Sequence, residues 1–386
     1  MRVDNRYDLH GTIRHVHPDV TLAKLKKKLS QFGITRVADV TGLDHVKIPV
    51  MVAIRPNAKH LATSQGKGLT RDLASISAIM ESIELFHAEL TLPSYIRGSY
   101  NELKSKNYNV LNPSKLPKGI KWKAYTHDYE LEWVMGSDLC TGKNILLPQV
   151  YFSLNTVDPH PDAAIFQAST NGLASGNTIK EALVHAFCEL VERECEFDWE
   201  NSSIENRHSC ILDNNLIKTP IIIEVLDKFK SAGLRPIIWD ITGRTKIPTY
   251  RCILLDENES RFLGRFHGSG AHLKKSIALL RTLTEAAQAR LTLISGSRDD
   301  IFPHFYEEQL LYRKQDASNL KGIIDFEYSH NDIAPLNNFD EDLSLIIEKI
   351  GAYYDNAIFV NLTQQKYDIP VVYSVVPGMR FTGNRI

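Results

Sequence analysis

Two segments of the chain carry the same letters at the same offsets. Residues 68–84 read GLTRDLASISAIMESIE and residues 176–192 read GNTIKEALVHAFCELVE, so both fit G-x-T-x-x-x-A-x-x-x-A-x-x-E-x-x-E. A weaker third copy, ALLRTLTEAAQ at 278–288, has Ala278, Thr282, Glu285 and Gln288 at the matching places. Glycine-rich stretches precede all three: GKG at 66–68, NGLASG at 171–176 and HGSGAH at 267–272. The repeated carboxylates Glu81, Glu84, Glu189 and Glu192 are oxygen donors of the kind that hold hard divalent cations, which commonly carry a phosphate ligand as well.

A helix advances by about 100° per residue, so Ser77, Glu81 and Glu84 fall within about 60° of arc. By the same rule Glu181, Glu189 and Glu192 span about 80°, and Arg281, Glu285 and Gln288 about 60°. Apolar residues flank each narrow polar stripe: Ile79, Met80 and Ile83; Leu183, Phe187 and Leu190; Leu279, Leu283 and Ala286. The stripes must therefore be at least partly buried. Buried carboxylates are costly without cations. Arginines such as Arg193 and Arg281 could neutralise them, or divalent cations could. The glycine-rich helix starts favour the second solution, because helix N-termini offer N–H groups and a positive dipole end to phosphate oxygens. The sequence has no GxxxxGK[ST], so a P-loop is excluded. An isolated ExxE pair is usually a solvated helix face; the two full copies and the partial third point to one shared site.

The elements that must position these residues read as an α/β (mixed α+β) pattern with helices and strands interspersed. An amphipathic helix is expected over 21–33, capped by Thr21 and stopped by Gly33. Two β-rich runs, TRVADVTG and KIPVMVAIRP, follow it. Helices are expected over 72–88, 179–198, 221–230 and 273–293, and strands over 236–240, 249–257 and the late IPVVYSVV. Residues 95–160, rich in Pro, Asn, Tyr and Lys, read as an irregular insertion with short strands at WKAYTHDY and LEWVMGSDL, and as the best candidate for a substrate-facing segment. The expected organisation is one catalytic unit over 1–386, with an N-terminal part (1–94), the insertion (95–160) and a part bearing the second and third motif helices (161–386).

Bulk properties narrow the class. The chain has 386 residues, 43% hydrophobic and 24% charged, with a net charge of −1. Such a balance describes a folded protein with no general attraction to nucleic acid or anionic membrane. The basic run Lys24, Lys26, Lys27 and Lys28 reads as a solvated helix face. Five cysteines without a CxxC pair exclude a zinc ribbon or disulfide framework. The N-terminus has no apolar signal-like region and there is no long apolar run, so a cytoplasmic location is expected.

At SQGKGLT…SAIMESIE, NGLASGNTIKEALVHAFCELVERE and GSGAHLKKSIALLRTLTEAAQARLTLISGSRDD the chain resembles the YcaO family, with the likeness extending from about Arg14 to Arg298. The resemblance implies an unusual α/β fold that binds ATP and Mg2+ between glutamate-bearing helices. It also implies phosphorylation of a peptide amide oxygen during or after attack by a nucleophile: a Cys, Ser or Thr side chain giving an azoline, a sulfide source a thioamide, a backbone amine an amidine. Carried over by position, Glu81, Glu84, Glu189 and Glu192 are the metal ligands. Arg14, Thr21, Ser77, Asn177, Glu181 and Arg281 fall at nucleotide-contacting places, and Lys67 is an additional phosphate lysine. Arg193, Arg281 and Glu285 are the catalytic candidates. The partners implied are a precursor peptide or protein substrate, a TfuA-like or leader-binding protein, and a second copy in a homodimer.

There are departures from the family pattern. Leu85 follows Glu84 where the first motif usually has arginine, so that charge is missing or supplied elsewhere. The chain ends PGMRFTGNRI, unlike the proline-rich tail of many azoline-forming members. The stretch from TRVADVTG to SQGKG resembles the TfuA-associated, thioamide-forming subgroup. Three alternatives stay open: an azoline-forming cyclodehydratase, an ATP-dependent carboxylate–amine ligase, and a non-catalytic scaffold that binds a leader peptide. His185 and His267 are general-base candidates by residue type alone.

Overall fold

A computed structural model describes residues 6–9, 11–167, 169–257, 263–298, 320–330, 332–333 and 337–381. A short ribbon, β1 (Tyr7–Asp8) and β2 (Ile13–Arg14), leads into α1 (Pro18–Lys26). Pro18 starts α1 at N1, where its missing N–H costs nothing, and His17 is the N-cap; Thr21 lies inside the helix and does not cap it. A 3-10 turn over Leu29–Phe32 then ends on Gly33 at φ 71°, the left-handed stop expected there.

β3 (Arg36–Asp39), β4 (Val50–Ile54) and β5 (Thr63–Lys67) form an antiparallel meander, and α2 (Arg71–Ala88) packs on it. Residues 95–160 contribute β6 (Ile96–Ser99), α3 (Tyr100–Ser105), β7 (Glu130–Asp138) and β8 (Lys143–Pro148). The WKAYTHDY run, expected as a strand, forms a 3-10 turn at Trp122–Ala124 instead. β7 pairs with both β6 and β8 and buries Trp133 completely, with the indole N–H donating to Gly98 O at 2.8 Å. Thus this segment is built into the sheet.

Next come β9 (Leu173–Ser175), α4 (Ile179–Glu200), α5 (Ile204–Ser209) and α6 (Pro220–Ser231). A second meander, β10 (Leu234–Asp240), β11 (Thr249–Asp256) and β12 (Arg265–Ala271), carries α7 (Lys275–Ser295). The chain continues through α8 (Phe326–Ser329), α9 (Phe339–Gly351), β13 (Ile358–Asn361) and β14 (Val371–Val375). The largest sheet runs β6-β7-β13-β14-β9, with β8 also on β7, and every strand pairing named here is antiparallel. α4 lies between β9 and β14 on one side and α9 on the other.

The three motif helices close a ring. α2 packs on its own strand β5 and also touches β9; α4 packs on β9 and touches β12; α7 packs on β12 and touches β5. Glycines permit the close approach. A Cβ on Gly66 would lie 2.0 Å from Ala78 N, and one on Gly270 would lie 2.4 Å from Ala278 O. GKG and HGSGAH, expected as phosphate-facing helix starts, are largely strand, and these two glycines serve strand–helix packing.

Candidate functional site

Two of the three motif helices, α2 and α4, are started by a threonine cap, and α7 begins after Lys274 without a side-chain cap. Thr70 Oγ1 accepts from Leu73 N at 3.2 Å, and Thr178 Oγ1 accepts from Glu181 N at 3.1 Å. From these caps the first glutamate of a pair faces its own module and the second reaches the next. Glu81 accepts from the Gln65 backbone N–H on β5, and Glu189 from Gly172 N at 3.2 Å, just before β9. Glu285 is held by Ser269 N on β12 at 3.4 Å. Across the ring, Glu84 accepts from Ser175 N at 2.7 Å and Ser175 Oγ at 2.6 Å. Glu192 accepts from Ala271 N and Ser269 Oγ, both at 3.0 Å. Gln288, the third copy's substitute, donates to Gln65 O at 2.9 Å. Ser175 and Ala271 sit at the same place in the repeat, immediately before the helix approach.

The charges are distributed unevenly. Arg193 lies against Glu192 (3.2 Å), Glu196 (2.8 Å) and Glu189 (3.8 Å), and donates to Ser269 Oγ at 3.3 Å. Lys67 pairs with Glu285. Arg251, 3% exposed, holds Glu196 at 2.7 Å. Glu84 has no cationic side chain within ion-pair distance among the described residues; only Ser175 binds it. Burial pushes Glu84 up to about 8; Ser175 offsets part of this, and the neighbouring Glu81 and Glu189 add to it. Burial also pushes Glu81 up to about 7, against the opposing charges of Arg298 and Lys67. Glu189 likewise rises to about 7 through burial, with Arg193 opposing. Burial would raise Glu285 too, but Lys67 and Arg193 outweigh it and hold that carboxyl below its ordinary value.

Every residue expected at the site can now be placed. Glu81, Glu84, Glu189, Glu192, Arg193, Lys67 and Glu285 converge where the three helices face one another. Ser77 lies on α2 one turn before Glu81. Glu181 forms a neighbouring cluster at the start of α4, accepting from Arg14 Nη1 (3.3 Å), His15 N (3.3 Å) and Asn177 N and Nδ2. Thr21 Oγ1 donates to Asn177 Oδ1 at 2.9 Å. Arg281 links the clusters, donating from Nη1 to His185 Nδ1 at 3.2 Å. Of the general-base candidates, His185 thus faces Arg281, and His267 Nδ1 meets Arg251 Nη2 at 3.3 Å. Leu85, where the family pattern has arginine, is buried in the core.

The sequence reading missed Ser175, Ser269, Glu196, Arg251 and Arg298. Ser175 alone carried a signal, its place directly before the repeated glycine.

Among the described residues no three His, Cys, Asp or Glu side chains are grouped as a ready-made metal cage. The donors come instead as carboxylates on facing helices. Buried oxygens with no protein cation beside Glu84 fit a hard cation that completes its coordination with phosphate and water.

A family model described as YcaO cyclodehydratase, ATP- and Mg2+-binding, matches residues 65–380. The chain belongs to the YcaO family. ATP and Mg2+ are the family's cofactors. This YcaO chain is 28% identical over 379 residues, 95% of its length and 88% of the relative's, to an uncharacterized protein in the tfuA 3′ region of Rhizobium leguminosarum bv. trifolii. Its fold is similar to that of YcaO from Methanopyrus kandleri bound with AMPPCP and Mg2+, with a TM-score of 0.76, 20% identity and coverage of 98% and 97% of the two chains. A heterocyclase in complex with substrate and cofactor shares the fold at a TM-score of 0.78 and 19% identity. There the alignment covers 98% of this YcaO chain but 55% of the heterocyclase chain. No helix among the described residues is long and apolar enough to cross a membrane.

Proposed function

We propose that this YcaO chain is a single catalytic unit that uses ATP and Mg2+ to phosphorylate a backbone amide oxygen of a peptide or protein, and that sulfide attack makes the product a thioamide. The observation that carries the reading is Glu84. It is fixed by two donors from Ser175, faces Glu81 and Glu189, and has no cation within ion-pair distance among the described residues. A site with that imbalance is stabilised by a divalent cation from solution.

In this reading Glu81, Glu84, Glu189 and Glu192 hold the metal ions. Arg14, Thr21, Lys67, Ser77, Asn177, Glu181 and Arg281 contact the nucleotide. Bound Mg–ATP supplies the phosphoryl group that turns the amide oxygen into a leaving group. The protein's own contribution is alignment and charge. Arg281 presents guanidinium donors to phosphate oxygens. Arg193 opposes the upward push of burial on Glu189 and Glu192 and fixes both carboxyls. Glu285 orders Lys67.

The relative from the tfuA 3′ region supports the thioamide outcome and a TfuA-like partner alongside the precursor peptide. The fold shared with a heterocyclase supports azoline formation as the second reading.

Calorimetry with ATP, with and without Mg2+, on wild type and Glu192→Gln tests the site. Mg-dependent binding by wild type alone is expected, and equal binding by both proteins would overturn it. Mass spectrometry of a modified peptide separates the chemistries, because replacing oxygen by sulfur raises the mass whereas forming an azoline removes water.

A further inference from the structure

Arg281 stands among carboxylates without pairing to one. Its charge acts on Glu189, Glu192 and Glu285, yet among the described residues no carboxylate oxygen lies within ion-pair distance of its guanidinium. Its side-chain partner is the ring of His185, with Nη1 to Nδ1 at 3.2 Å. A guanidinium has donors only, so His185 Nδ1 must accept, and the imidazole is the neutral form with its proton on Nε2. His185 lies on α4 one turn after Glu181 and one turn before Glu189, and Arg281 reaches it from α7. The contact therefore crosses between two motif helices.

We propose that His185 is a positioning residue that docks Arg281 through a neutral acceptor, fixing the guanidinium while keeping its charge available for an anionic ligand. The inference rests on the reading of this site as one for a nucleotide triphosphate. A carboxylate at position 185 would fix the arginine equally well but would quench it. An apolar side chain would leave it to collapse onto Glu189 or Glu285. The neutral acceptor uses one of five N–H donors and leaves the others for phosphate oxygens. Burial, and then Arg281 itself, hold His185 well below the ordinary histidine range, so the ring stays an acceptor.

The test compares His185→Asn with His185→Asp, two side chains of nearly equal size that differ in charge. Mg–ATP binding is measured by calorimetry on the full chain, with thermal melts as a folding control. His185→Asn should bind much as wild type does, and His185→Asp should bind about ten- to a hundredfold more weakly, the range of a lost charge-assisted contact. Repeating the pair in an Arg281→Gln background should erase the difference. A persisting difference would mean direct repulsion of phosphate and would overturn the role assigned to Arg281 docking. Equal binding by the two single variants, whether strong or weak, overturns it as well. Failure of wild type to bind Mg–ATP would instead overturn the reading of the site, and this inference with it.

Discussion

Two junctions of the ring use the same kinds of hydrogen-bond donor but differ in the charge beside the carboxyl, although burial pushes both carboxyls up. Where α2 meets β9, Glu84 receives a backbone N–H and a serine hydroxyl from Ser175. Where α4 meets β12, Glu192 receives the same two kinds of donor, from Ala271 and Ser269. The second junction also contains Arg193, with Arg251 behind it on Glu196. Among the described residues the first contains no cation within ion-pair distance of Glu84. One junction is neutralised by the chain itself, and the other is left short of positive charge. Hydrogen bonds fix where a buried carboxylate points, but its charge must be balanced separately, and the place where balance is missing is the place to look for a ligand.

The most damaging change should be Arg193→Gln. It removes the cation beside buried Glu192 at the self-neutralised junction while Arg251 stays on Glu196, and a denaturant titration should show about 3 kcal/mol of lost stability. An unchanged midpoint would remove the contrast between the junctions.

Glu84→Gln should act in two directions. Turnover of a peptide substrate should fall by about two to three orders of magnitude, as when a pre-organised charge-stabilising group is removed. The metal-free protein should melt no lower than wild type, because glutamine keeps the acceptor for Ser175 and sheds the buried charge. A large drop in melting temperature would show Glu84 to be structural.

The pH dependence sharpens the same point. Glu84 sits near 8, and Glu81 and Glu189 near 7, against an ordinary value of 4.5. Their folded-state values are raised, so between pH 4.5 and 8 the native state keeps protons that the unfolded chain has released. Their contribution to stability falls as pH rises through that window and levels off above it. Without Mg2+ the melting temperature should decline across this range, and Mg–ATP should raise it more at pH 8 than at pH 6. A Mg–ATP shift independent of pH would contradict the charge deficit. The smallest effect is expected from Ser175→Ala, which should cost about 1 kcal/mol in a thermal or denaturant melt. It should also push Glu84 higher still, since the serine hydroxyl stabilises the ionised form.

The motif helices could be read from the sequence because their determinants are local. The caps Thr70 and Thr178 act three residues along, and the paired glutamates share one helix face. What each glutamate leans on could not be read. Glu84 meets Ser175 across 91 residues and Glu192 meets Ser269 across 77, through a register set by tertiary packing. Gly66 and Gly270 concealed two strands, since glycine is a poor strand former and is needed there for space alone. Thr21 looked like a cap because of its residue type; Pro18, with its fixed φ, starts the helix earlier. The distinction between Arg193 and Leu85 was visible in the letters. Only the structure shows that Leu85 turns into the core and leaves its junction short of charge.

Closure of the ring has a kinetic consequence. The contact that completes it, Lys67 on Glu285, joins residues 218 positions apart. The site therefore cannot form while the chain is partly folded, because its last wall arrives only when the first and third modules meet. Such distant pairing slows folding. It also means that a ligand held between any two helices stabilises the whole closed state, so nucleotide and metal should protect all three modules from local opening together.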